Sequence, residues 1–145
     1  MKKIFLIILL LLAIISGLLF FSLKPSKSKQ VAVVIKNTVY KVEIADTDQK
    51  RGLGLSNRES LSPGHGMLFT FPKKEKHGFW MKDMRFPIDI IWISDEKIVD
   101  ITPNVQVPTT TILPVFYSKE VVNYVLEIPA GDSKKHNFKE GDLLK

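Results

Sequence analysis

The chain opens on one unbroken apolar run and continues as a series of short patches in which apolar and polar positions alternate. From Ile4 to Phe21 only Ser16 and Gly17 interrupt the apolar character, and a helix of that length reaches about 27 Å, enough to cross the hydrocarbon of a bilayer. Lysines flank the run on both sides, and the small-x-small pattern Ser26-Lys27-Ser28 lies behind Pro25 and carries a lysine, which makes a poor cleavage signal. Residues 1–23 are therefore expected to be a retained membrane anchor or uncleaved signal segment. Residues 24–30 read as a polar linker and residues 31–145 as one domain. A short N-terminal tail that stays cytoplasmic places the domain outside the cytoplasm.

Within the domain, Tyr40-Lys41-Val42-Glu43-Ile44 has the period-two signature of a strand with one buried face. Val31 to Ile35 precedes it, and Lys36-Asn37 between them suits a hairpin turn. Asp46-Thr47-Asp48-Gln49 offers a helix start, with Gly52 or Gly54 as the stop. Met67 to Phe71, Phe79 to Lys82 and Ile88 to Ile93 are further strands, and Ser94-Asp95-Glu96 turns the last of these back into Lys97 to Ile101. In Val121 to Ile128, Val122, Tyr124, Leu126 and Ile128 alternate with Val121, Asn123, Val125 and Glu127, the pattern of a half-buried strand. Gly131-Asp132-Ser133 starts a second short helix. Many short strands and no long helix for parallel crossovers predict an α+β, mainly β domain: a compact antiparallel sheet or barrel-like body with two short helices.

Charge changes the picture once it is divided along the chain. Taking Lys2, Lys3, Lys24, Lys27 and Lys29 from the 21 basic residues leaves 16 against 15 acidic ones. The domain is near neutral, so it lacks the surplus that neutralises nucleic-acid phosphates, and no nucleic-acid partner is expected. The flanking lysines suit anionic headgroups instead, which makes the membrane the expected partner of the N-terminal helix. The absence of cysteine removes disulfides, thiolate zinc sites and thiol nucleophiles.

Asp89 is the first candidate for chemistry, because alternation places it on the strand face of Ile91 and Ile93. A carboxylate in apolar surroundings is a candidate general acid or base, with His77 or His65 as partner. The alternative is a structural carboxylate that accepts buried hydrogen bonds and locks the loop around Pro87. In Phe79-Trp80-Met81-Lys82 one face must be core. An open Trp80 and Lys82 face would put an aromatic platform beside an ammonium, suited to a carbohydrate or an acidic small molecule. Phe116 and Tyr117, in the Pro- and Thr-rich stretch from Pro103, are expected to be exposed contact residues of a long ordered loop. The spacing of His65, His77 and His136 matches no metal signature, so no metal and no cofactor are expected.

Six ordered motifs carry a family likeness: Arg51-Gly52-Leu53, Arg58-Glu59-Ser60-Leu61, Gly66-Met67-Leu68-Phe69, Phe79-Trp80-Met81-Lys82, Pro87-Ile88-Asp89-Ile90 and Tyr124 to Gly131. Together the chain resembles the prokaryotic family called domain of unknown function one hundred and ninety-two. That resemblance implies a compact β-rich fold, often behind an export signal or membrane segment, and no established activity. Three readings follow. The first is an extracytoplasmic accessory module that binds a small-molecule or cell-envelope ligand through Trp80, Lys82, Asp89, Phe116 and Tyr117. The second is a hydrolase-like enzyme using Asp89 with His77 or His65, and the third a structural protein-interaction module.

Overall fold

The computed structural model describes residues 29–145, together with Ile4 and Leu12. The expected anchor and nearly all of the linker lie outside the described residues, among which no helix is long and apolar enough to cross a membrane. The first hairpin forms as expected, from β1 (Gln30–Ile35) and β2 (Thr38–Ala45). Its positive φ falls on Lys36 rather than on Asn37. Helix α1 (Asp48–Leu53) begins where the Thr47 hydroxyl accepts from the Lys50 N–H at 3.3 Å, and it ends at Gly54, whose φ of 51° suits a residue without a Cβ.

The remaining elements are β3 (His65–Glu75), β4 (Phe79–Trp80), β5 (Ile88–Ser94), β6 (Lys97–Val105), β7 (Val115–Phe116), β8 (Val122–Pro129) and α2 (Asp132–Lys135). Six strands form one sheet in the order β1-β2-β3-β8-β5-β6, and β4 with β7 forms a separate two-stranded ribbon. The stretch from Pro103 is thus not one loop, since β6 runs to Val105 and β7 occupies Val115–Phe116.

One expectation is corrected. The large sheet is mixed rather than antiparallel, because β2 and β3 run parallel, with Lys41 opposite His65 and Ala45 opposite Phe69. A parallel crossover needs a dozen or more residues, not a long helix. Here α1 and the coil that follows it, across residues 46–64, supply them.

The C-terminal residues join the two outer strands. Val34 and Lys145 exchange backbone hydrogen bonds at 2.7 and 2.9 Å, while Ile98 N–H donates to the Asp142 carbonyl and Leu144 N–H to that of Glu96. This clasp links β1 to β6 across the last residues.

Each face of the sheet is packed. On one, Val33, Ile35, Tyr40, Val42, Ile91, Ile93, Leu126 and Ile128 are enclosed with Phe138 and Leu144. On the other, Met67, Phe69, Ile88, Ile90, Trp92 and Val125 are covered by Leu55, Phe79, Met81 and Met84. Alternation along β5 distributes its side chains between these two cores.

Candidate functional site

The second core is not filled completely. Where the β4–β7 ribbon lies over the sheet, a cavity of about 230 Å³ opens between them. Its walls are Phe69 and Phe71 from β3, Phe79 and Trp80 from β4, Met84, and the end of α1 with the turn to Ser56. The rings meet edge to face, Phe79 against Phe69 at 83° and 4.9 Å and against Trp92 at 86° and 5.4 Å, the arrangement that aromatic quadrupoles favour. Trp80 is 51% exposed and stands at the rim. His77 stacks flat on Phe71 at 3.6 Å.

Two close approaches hold the two strands of the ribbon together. Phe79 pairs with Phe116 and Trp80 with Val115. A Cβ on Gly78 would lie 2.8 Å from the Val115 side chain and 3.1 Å from Tyr117, so the ribbon closes only over a glycine. Ser56 is fixed by its hydroxyl, which donates to the Lys82 carbonyl at 2.8 Å.

Glu127 of β8 also lines the cavity, and it is only 5% exposed. Among the described residues no hydrogen bond reaches its carboxyl. The surrounding burial pushes the group up to about 8, and the charge of Arg58 pulls weakly in the opposite direction. Arg58 itself is engaged by Glu43, at 2.5 and 3.0 Å in a bidentate pair. The wall cation Arg51 is likewise committed, donating to the Thr70 carbonyl at 2.7 Å and to Asp48 at 2.6 Å, with its guanidinium 5.2 Å from the Phe71 ring. Near neutral pH the cavity therefore presents an un-ionised carboxylic acid, able to donate one hydrogen bond and accept another.

Sequence reasoning passed over Glu127, placing it on the polar side of a half-buried strand. Strand β8 is instead central, between β3 and β5, and buried on both faces. The one available signal was Glu127 at the end of a run that includes Val125, Leu126 and Ile128, an acid with apolar neighbours on every side.

Asp89 lies on the opposite face, as alternation predicted, and is fully buried. One carboxylate oxygen accepts from Asn104 N–H at 2.7 Å and Gly131 N–H at 3.0 Å. The other accepts from Ser133 N–H at 2.8 Å and Ser133 Oγ at 2.6 Å. The segments it locks are the end of β6 and the start of α2, rather than the loop around Pro87. Next to it, the Tyr40 hydroxyl donates to Asp132 at 3.1 Å, and burial and the Asp132 charge push that phenol well above its ordinary value.

The structure thus separates residues that the sequence had grouped. Trp80 and His77 share the cavity, with Tyr117 beside it against Gly78. Phe116, expected to be exposed, is half-buried and packs onto the core. Lys82 is exposed and does not line the cavity; its carbonyl accepts from the Ser56 hydroxyl. His65 is held near Pro63, its Nδ1 at 3.2 Å from that carbonyl, and does not line the cavity. Asp89 meets neither histidine, its oxygens being occupied. Among the described residues no group of three or more His, Asp or Glu side chains is placed to hold a metal ion.

Comparison with known proteins agrees with this fold. A family model described as Uncharacterized ACR, DUF192, matches residues 30–145. A UPF0127 protein of Thermococcus gammatolerans is 31% identical over 108 residues, which cover 71% of this chain and 64% of the relative. A second UPF0127 protein, from Thermococcus kodakarensis, is 29% identical over 110 residues, covering 72% of this chain and 63% of its own length. The chain therefore spans somewhat less than two thirds of these curated relatives. Among solved structures, a protein of Sinorhizobium meliloti 1021 proposed to be a transcription regulator superposes with a TM-score of 0.77 at 31% identity, covering 84% of this chain and 97% of that one. A protein of unknown function from Novosphingobium aromaticivorans gives a TM-score of 0.75 at 26% identity, over 83% and 87% of the two chains.

Proposed function

We propose that this chain, which belongs to the DUF192 family, is a small-ligand-binding module whose site is the cavity between the β4–β7 ribbon and the sheet. A single observation carries the reading. Glu127 is a carboxyl that opens onto an aromatic-walled cavity and, among the described residues, receives no hydrogen bond. A carboxyl whose oxygens face a cavity rather than donors of the fold is open to a ligand's hydrogen bonds. The apolar walls supply contact area and the acid supplies direction.

Hydrolysis centred on Asp89 has no comparable support, because all four hydrogen bonds that occupy its oxygens belong to the fold. The proposed regulator role of the Sinorhizobium relative does not suit this domain either, since its near-neutral balance of 16 basic and 15 acidic residues offers little to a phosphate backbone. The apolar run at residues 4–21 supports a tether that holds the module at a membrane, outside the cytoplasm.

The test is intrinsic fluorescence and thermal shift of the full chain across a metabolite panel, with Trp80→Ala beside it. A binder should quench Trp80 saturably and raise the melting temperature, and the variant should lose both responses. A ligand whose effects survive Trp80→Ala unchanged would place the site elsewhere.

A further inference from the structure

The charges around the cavity restrict what it can hold. A cationic ligand would meet a carboxyl that burial disfavours as a charge, with the positive Arg58 close enough to act on it. An anion would find both guanidiniums already committed, Arg51 to Asp48 and Thr70 and Arg58 to Glu43, and would lie over a carboxyl that burial already disfavours as a charge. His77 on the rim is stacked on Phe71 and donates nothing to the floor. Neither class of ion is compensated there.

An uncharged ligand meets no such penalty. At about 230 Å³ the cavity lies below the roughly 300 Å³ at which drug-sized sites begin, so it admits one ring with its substituents. The half-exposed face of Trp80 attracts the weakly positive C–H edges of a saturated ring, whereas Phe71 is already covered by His77 and the Arg51 guanidinium. The floor then needs an oxygen that both accepts and donates.

From this geometry we infer that the ligand is an uncharged, hydroxyl-bearing ring of monosaccharide size, seated against Trp80 with one hydroxyl hydrogen-bonded to the carboxyl of Glu127. The inference rests on the ligand-binding reading above and adds the chemical class and the protonation state of the floor. In the acid form a ligand hydroxyl can receive a proton and return one, closing a two-way hydrogen bond.

The full chain is titrated with glucose, galactose, N-acetylglucosamine and inositol, and separately with tetramethylammonium and acetate, from pH 6 to pH 10. At least one neutral ring should quench Trp80 and shift the melting temperature, and the two ions should not. Since burial holds the acid up to about 8, wild-type affinity should be constant below that pH and fall about tenfold per pH unit above it. Glu127→Gln cannot ionise, so whatever affinity it retains should lose the pH dependence. Tetramethylammonium binding that strengthens with pH and vanishes in Glu127→Gln would overturn the inference in favour of a cation site, and tight acetate binding would do so in favour of an anion. Either result leaves the ligand-binding reading standing. No response to any of the three classes at about 50 mM, well above the millimolar dissociation constants of weak sites, would sink both.

Discussion

Asp89 and Glu127 are buried carboxyl groups on paired strands, one register step apart, with Asp89 opposite Ile128 and Ile90 opposite Glu127. They face opposite cores, and the two cores treat them differently. Asp89 receives three backbone N–H groups and one hydroxyl, so its lone pairs are taken by donors that fasten β6 and α2 to the sheet. Among the described residues Glu127 receives no hydrogen bond, and burial pushes it up to about 8 against the pull of Arg58. Burial alone therefore does not mark a functional acid. What separates the two is whether the fold consumes the lone pairs or leaves them facing a cavity.

The largest effect that can break this contrast is on Asp89. Asp89→Ala strands four donors in a dry interior and should destabilise the domain by about 3–5 kcal/mol, read by urea unfolding. A variant within about 1 kcal/mol of wild type would show that the lock is not structural. Glu127→Gln should act in the opposite direction, stabilising the domain by about 2 kcal/mol at pH 7. The sign follows from the shift. The folded group titrates near 8 and the unfolded group near 4.5, so between those values the folded state holds the extra proton. Wild-type stability should fall as pH rises through that window and level off above it, whereas the Gln variant should lack this slope. A wild-type stability that rises from pH 5 to pH 8 relative to the variant would contradict the assignment.

A smaller effect is expected at Tyr40→Phe, which removes only the hydroxyl bonded to Asp132 and should cost about 1 kcal/mol in the same unfolding measurement. It tests whether the Asp89 side of the sheet is a connected network. If Tyr40 and Asp89 belong to one lock, the double variant should depart from additivity by more than about 0.5 kcal/mol. Trp80→Ala should change stability least, within about 0.5 kcal/mol, because the ring is half exposed. Its consequence should be confined to the ligand responses of the cavity.

Much of the lock and little of the cavity were legible in the chain. Period-two alternation placed Asp89 beside Ile91 and Ile93 and divided Phe79 and Met81 from Trp80 and Lys82, because facing is a local property of a strand. The first hairpin and the β5–β6 hairpin were readable for the same reason, and the helix stop was narrowed to Gly52 or Gly54. Glu127 was not, since whether the second face of β8 is buried depends on β3, β5 and the ribbon lying where they do, and a single strand's pattern carries no record of its neighbours. The parallel pairing of β2 with β3 was hidden likewise: a crossover made mostly of coil leaves no helical signature.

The clasp of residues 142–145 on β1 and β6 has a kinetic consequence. Val34 and Lys145 come from opposite ends of the domain's sequence, as do several of their neighbours in the pairing. Closing so long a loop is an entropic cost met before the contact returns anything, so topologies of this kind reach the native state in milliseconds to seconds rather than microseconds. The same contact is the natural first place for the native state to open. Amide exchange at Val34 and Ile98 should thus be faster than at Leu126 in the central strand, and the sheet should unzip from its clasp inward.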